Sequence, residues 1–304
     1  MFKKVFSFIF VLTAVFALAA CSNSEETTSD SNEEGNGDTT VTVGESVEYE
    51  IVGIDPGAGL MKATNKVIDQ YGLENWELIE GSGAAMTAAL KKAYEDEEPI
   101  IVTGWTPHWM FSKFDLKYLE DPKGIYGDAE FINTIARNGL KEEQPNAYTV
   151  LDQFKWTPDD MASVMVMIED DMTPEDAAAK WVGENSDLVS EWTAGAESVD
   201  GEEITIGYVA WSSEIASTNV ITKVLEDLGY EVTLRQVEAG PMWTGVADGS
   251  VDAHVAGWLP TTHADYYAKF EGEFEDLGPN LEGTKIGLVV PAYMEIDSIE
   301  DLKE

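Results

Sequence analysis

The chain carries one passage twice. In the first copy "YEIVGIDPGAGLMKATNKVIDQYGL" leads through "WELIEGSGAAMTAALKKAY" to "PIIVTGWTPHW"; in the second, "ITIGYVAWSSEIASTNVITKVLEDLGY" leads through "EVTLRQVEAGPMWTGVADG" to "DAHVAGWLPTTH". Thr64 and Asn65 answer Thr218 and Asn219, Gly83 answers Gly240, Thr87 answers Thr244, and Trp105 answers Trp258. A repeat of this kind constrains the architecture more than any local propensity, because both copies must solve the same burial problem in the same way.

Each copy alternates short β-branched runs with helical periodicity. Strands are expected at 49–54, 76–80 and 99–103, with helices at 58–71 and 84–95 between them, a βαβαβ unit with parallel strands. The second copy predicts strands at 204–210, 231–236 and 252–257 and helices at 213–228 and 240–248. The fold class is therefore α/β and bilobal, two βαβ-based lobes with a ligand cleft between them. Residues 128–200 read as helical, with "TPDDMASVMVMIED" and "TPEDAAAKWVGENSDLVSEW" each opening on Thr-Pro and acids, a good helix start. "KIGLVVPAYM" reads as a further strand and "SIEDLKE" as the start of a terminal helix. Lobe one is placed at 45–135, joined by 296–304, with a helical connecting segment at 136–203 and lobe two at 204–295.

The first residues read as a lipoprotein leader. Lys3 and Lys4 precede the apolar run "VFSFIFVLTAVFA", too short to span a bilayer comfortably, and "LAAC" ends on Cys21. Residues 1–20 are the expected signal peptide and Cys21 the expected lipid anchor, which would hold the mature chain to the outer face of a membrane. Cys21 is the only cysteine, so no intramolecular disulfide can form. Residues 21–44 contain no aromatic and little aliphatic side chain and read as a flexible acidic tether. Losing Lys3 and Lys4 with the leader takes the formal net charge from −40 to −42, which repels a polyanion and excludes nucleic acid as a partner.

Ligands of parallel α/β sheets bind beyond the carboxyl ends of the strands. Trp105 and Trp258 each follow the last strand of their copy, Trp211 follows the first strand of the second copy, and the first copy has "DPGAGLM" at the matching place. Three indoles facing one cleft present negative π-faces to a cation without hydrogen-bond donors, as a quaternary ammonium is. At about 0.5–2 kcal/mol each, three such contacts fall short of the roughly 8 kcal/mol that micromolar affinity needs. The free N–H groups of Gly59 and Leu60 at a helix start, with His263 five residues past Trp258, would supply the remainder by holding a carboxylate.

Other aromatic and titratable groups read differently. Trp76, Trp156, Trp181 and Trp192 are expected in the core, while Trp109 and Trp243 are placed equally well by core and cleft wall. His108 is expected as structural support and His254 as a satisfied core residue. No HExxH, GxSxG, CxxC or GxGxxG occurs, and three scattered histidines make no metal site, so neither enzyme, cofactor nor metal is expected. A carbohydrate-binding lipoprotein or glycosidase is the competing class, since indoles also stack on sugars. The motifs supply only Asp55 and Glu214 for that chemistry.

"GIDPGAGLM", "GWTPHW", "YVAWSSEIASTN", "VEAGPMWT", "GWLPTTH" and "GLVVPAYM" resemble, in order and spacing, the glycine betaine/proline betaine binding lipoproteins of the OpuAC type, from about Val52 to Lys303. The resemblance implies a type II periplasmic-binding-protein-like fold and a Gram-positive extracytoplasmic receptor, monomeric, serving an ABC permease and its ATPase. It implies a three-tryptophan prism at Trp105, Trp211 and Trp258, with backbone amides of Gly59 and Leu60 and the side chain of His263 on the ligand carboxylate. Leu60 stands where some relatives carry Ile, a change that leaves a main-chain contact intact. A choline or carnitine receptor of the same fold is the alternative. The family also implies that the half which comes second in periplasmic betaine receptors comes first here.

Overall fold

The first copy folds around β1 (Glu50–Val52), which pairs in parallel with both β2 (Glu77–Ile79) and β3 (Val102–Thr106). The computed structural model describes residues 41–303; the leader, Cys21 and most of the acidic tether lie outside the described residues. A short capped turn, α1 (Val43–Ser46), comes before β1, while α2 (Gly59–Tyr71) and α3 (Gly83–Glu95) are the crossovers. In α2, Leu60, Ala63, Thr64, Val67 and Tyr71 recur at helical spacing and are all buried, and Gly72 ends the helix in the left-handed region at φ 70°. In α3 the Ser82 hydroxyl accepts the N–H of Ala85.

Beyond β3 come α4 (Met110–Lys113), β4 (Leu116–Tyr118) and β5 (Glu130–Arg137), and then α5 (Leu140–Glu143), α6 (Pro145–Gln153), α7 (Pro158–Glu169), α8 (Pro174–Glu184) and α9 (Ser186–Trp192). The two Thr-Pro starts behave as read: Thr157 and Thr173 each cap the helix that begins at the following proline. Trp156, Trp181 and Trp192 pack together there, with Trp181 stacked on Trp192 at 5.8 Å. The helical reading of 128–200 fails at its start. "EFINTIAR" forms β5, inserted between two antiparallel partners, because its Ile and Thr side chains suit a strand buried on both faces.

The second copy repeats the first with β6 (Glu203–Tyr208), α10 (Ser212–Asp227), β7 (Glu231–Gln236), α11 (Ala239–Asp248) and β8 (Ala253–Leu259). Then follow α12 (Ala264–Lys269), β9 (Phe274–Pro291) and a 3₁₀ turn at Ile299–Leu302 where a terminal helix was expected. The strand order is β2-β1-β3-β9-β5-β8-β6-β7, with β4 beside β9. In each half the strands thus run second, first, third, and an antiparallel strand follows, which is the type II binding-protein arrangement.

β9 belongs to both halves. From Phe274 to Thr284 it pairs with β5, and from Lys285 to Val289 with β3. It starts eleven residues before the strand expected at Lys285, because Gly278-Pro279, which reads as a turn, is absorbed by register shifts in the ladder with β5. By these pairings β5 lies beside β8 of the second copy, and residues 285–291 beside β3 and β4. The final residues meet the first half through Trp76, whose indole N–H donates to the Leu302 carbonyl at 3.2 Å.

Candidate ligand-binding site

At the carboxyl ends of β1, β3 and β8 the two halves form a small cavity lined by Gly59, Leu60, Trp105, Trp211, Trp258 and His263, with Ile54, Ala58, Ser213, Thr262 and Ile286. All six candidates from the sequence meet there, though the two copies that supply them are far apart in the chain. Trp105 and Trp258 are the penultimate residues of their strands, each two positions before a proline, and both Thr106-Pro107 and Leu259-Pro260 are cis. Trp211 precedes the first turn of α10.

The rings are only 4 to 7 % exposed, and two of them are tied across the two halves. Trp105 Nε1 donates to the Ser213 hydroxyl at 3.3 Å, and Trp211 Nε1 donates to the Asp55 carboxylate at 2.9 Å. Trp105 and Trp211 thus each use their only hydrogen-bond donor on a side chain of the other half.

His263 shows its protonation state by geometry. Its Nδ1 accepts the main-chain N–H of Trp258 at 3.0 Å, so the ring proton sits on Nε2, and that atom, fully buried, has no hydrogen-bond partner. Burial, helped by His254 and Lys62, takes the imidazole down to about 3, so it stays neutral at physiological pH. The result is a fixed N–H donor in the cavity wall.

Opposite stands the start of α2. Its N-cap is Ala58, which has no side-chain hydrogen bond to the first turn, unlike the capped helices α3, α7 and α8. The first N–H groups of an α-helix have no intrahelical partner, and the helix dipole adds positive potential there. An anion between Gly59, Leu60 and His263 would meet donors from both halves.

Several contributors escaped sequence reading. The buried carboxylate of Glu130, in β5, accepts the N–H groups of Thr261 and Thr262, each at 2.7 Å, and the Thr262 hydroxyl. It thereby fixes the "LPTTH" loop against α2. Outside the cavity, Tyr266 donates its hydroxyl to the Gly57 carbonyl at 2.9 Å and Lys62 pairs with Asp265 at 3.1 Å. Glu130 stands at the start of "EFINTIAR" with no repeat partner or motif around it, so no local pattern singles it out.

Trp109 packs on His108 and Phe114, and Trp243 among His263, Tyr266 and Phe274; both are buried and neither lines the cavity. His108 sits edge-on to Trp105 at 4.6 Å and supports that ring from behind. Behind Trp211 lies a buried polar pair. Glu214 Oε2 accepts the Val209 N–H at 2.6 Å, and Oε1 stands 4.0 Å from His254 Nε2. His254 Nδ1 meets the Gly207 carbonyl at 3.0 Å and so carries the proton. Burial pushes the Glu214 carboxyl up to about 8 and takes His254 down to about 4, so the contact joins a neutral acid and a neutral imidazole rather than an ion pair.

This pair makes stability depend on pH. The unfolded chain releases the Glu214 proton near 4.5 and the folded chain near 8, so its stabilisation is complete below the lower value and lost as pH rises through the higher. Glu214→Gln keeps an acceptor for Val209 and does not titrate. Between pH 6 and 8 the wild type should therefore lose about 2 kcal/mol relative to this variant in urea unfolding. Parallel behaviour of the two proteins would mean that the acid is not held neutral.

Two repeated α/β halves, closed on a pocket of indole faces and fixed N–H donors, define a receptor that encloses a small ligand. The chain belongs to the family of substrate-binding domains of ABC-type glycine betaine transport systems, whose model matches residues 26–184 and 202–304. It is 52% identical over 306 residues, 100% of this chain and 99% of the other, to the glycine betaine/carnitine transport binding protein GbuC of Listeria monocytogenes. Among solved structures it is similar to lactococcal OpuAC in its closed form with glycine betaine, at 49% identity over 49% of this chain and 59% of that one, with a TM-score of 0.47. It is also similar to the glycine betaine, L-proline transporter binding protein ProX of Borrelia burgdorferi, at 34% identity over 50% and 58%, with a TM-score of 0.48. Each of these superpositions spans less than two thirds of the solved chain. The protein is thus an extracytoplasmic substrate-binding component, and no helix among the described residues is long and apolar enough to cross a membrane.

Proposed function

We propose that the protein captures glycine betaine or proline betaine outside the cell, encloses it, and delivers it to an ABC permease powered by its ATPase, with no covalent chemistry of its own. The trimethylammonium sits among Trp105, Trp211 and Trp258; the carboxylate takes the amides of Gly59 and Leu60 and the Nε2–H of His263. A lipid on Cys21 tethers the monomer to the outer face of the membrane. The observation that carries the reading is the buried, unpartnered N–H of His263 in the wall of the same cavity as the three indoles and an uncapped helix start. A cation site alone has no use for those donors, and a sugar site would need several Asp, Asn or Arg side chains for hydroxyls, none of which is among the residues lining this cavity.

Calorimetric titration tests the reading. Glycine betaine should bind, while choline, without the carboxylate, and glycine, without the methyls, should each bind at least about tenfold more weakly, since each forfeits one end of the site. Because His263 is neutral down to about 3, betaine affinity should be flat from pH 5 to 8. Equal affinity for all three ligands, or a loss of affinity as pH rises through 6.5, would remove the two-ended site. Carnitine belongs in the same titration as a longer carboxylate.

A further inference from the structure

We infer that Asp55 makes the cage selective for positive charge, acting through the ring of Trp211. The inference rests on the reading of the three indoles as an ammonium cage. Asp55 does not line the cavity; Trp211 does, and its Nε1–H donates to the Asp55 carboxylate at 2.9 Å. The two cross-linked indoles differ in this respect, because Trp105 donates to the neutral hydroxyl of Ser213. An indole whose N–H is held by an anion gains electron density, and its face becomes a better partner for a cation. The carboxylate adds its own field in a site where the walls, not water, surround the ligand.

Two further observations fit this role. Among the described residues no Lys, Arg or His pairs with Asp55. The charge behind the ring, on a partly buried side chain, is thus not neutralised by a cation of the protein. Asp55 also accepts the Ala58 N–H on its main-chain carbonyl at 2.9 Å, which closes the turn that presents Gly59 and Leu60. One residue thus shapes the carboxylate end of the site with its backbone and polarises the ammonium end with its side chain. Being a main-chain contact, the first role survives substitution of the side chain.

The test uses a ligand that differs from betaine only in charge. In 3,3-dimethylbutyrate a carbon replaces the nitrogen, and shape and carboxylate are kept. The full mature protein and its Asp55→Asn variant are titrated with both ligands. Asn keeps an acceptor for Trp211 but no charge, so betaine should bind about tenfold more weakly to the variant and dimethylbutyrate unchanged or slightly better. Asp55→Glu should restore the wild-type ratio. Equal losses for both ligands would make Asp55 a scaffold residue and overturn the inference, as would no loss for either. Should Asp55→Asn not fold, Asp55→Ser makes the same comparison with another neutral acceptor. Ser213→Ala is the control, expected to weaken both ligands alike. If the wild type fails to bind betaine at all, the cage itself is wrong, an outcome distinct from a wild type that binds betaine with a ratio unmoved by Asp55.

Discussion

Gly59→Ala is expected to abolish betaine binding, by about a hundredfold or more, and to leave the protein folded. A Cβ at Gly59 would stand 1.9 Å from the Thr262 carbonyl oxygen and 2.7 Å from its carbon, both backbone atoms. That backbone has little room to yield, because Glu130 holds the N–H groups of Thr261 and Thr262 and the Thr262 hydroxyl. Gly59 belongs to the first half and Thr262 to the second, so the clash arises only when the halves approach; the fold of each is unaffected. Closed packing is a discrete arrangement and does not stretch by the more than 1 Å that relief would require. Thermal unfolding with and without betaine reads this out: the variant should keep the ligand-free melting temperature and lose the ligand-induced rise. Gly57→Ala is the control, since its added methyl would meet only the Tyr266 hydroxyl at 3.8 Å, an ordinary contact. Wild-type affinity in Gly59→Ala would mean that this close approach is not part of the bound state.

The contrast between Gly59 and the tryptophans explains what the sequence reveals. Trp105 and Trp258 are legible because the repeat aligns them, and Trp211 because a topological rule places the ends of parallel strands at one mouth. Gly59 was legible as a helix start with free N–H groups, but not as a point of backbone contact, since Thr262 becomes its neighbour only through closure. β5 was missed because "EFINTIAR" is short and lies before a truly helical region; its strand character comes from being clamped between β8 and β9. β9 was cut short because Gly278-Pro279 carries a strong local turn signal that tertiary pairing overrides. Trp109 and Trp243 could not be told from cavity residues by spacing, since both flank the motifs, and only packing on Phe114 and Phe274 assigns them. Asp55 and Ser213 lay inside quoted motifs, yet their partners are indoles of the opposite half.

The second large effect is expected at Trp258. Any substitution there other than proline leaves the main-chain N–H that orients His263 through Nδ1, so the carboxylate end of the site survives while the ammonium end changes. Trp258→Leu keeps apolar bulk and removes the π-face, which should cost about 2 kcal/mol, or roughly 30-fold in betaine affinity. Trp258→Phe restores a ring, if a smaller one, and should recover most of the loss. The uncharged isostere 3,3-dimethylbutyrate, which draws only on packing and the carboxylate donors, should lose less than about threefold in Trp258→Leu. Calorimetry on the three proteins with the two ligands separates charge from shape. If betaine and its isostere weaken together, the indoles act as an apolar wall, and the affinity must come chiefly from the carboxylate end. If betaine alone weakens, the repeat of Gly-Trp in the two halves exists to bring two faces of negative potential onto one cation, which neither half can do without the other.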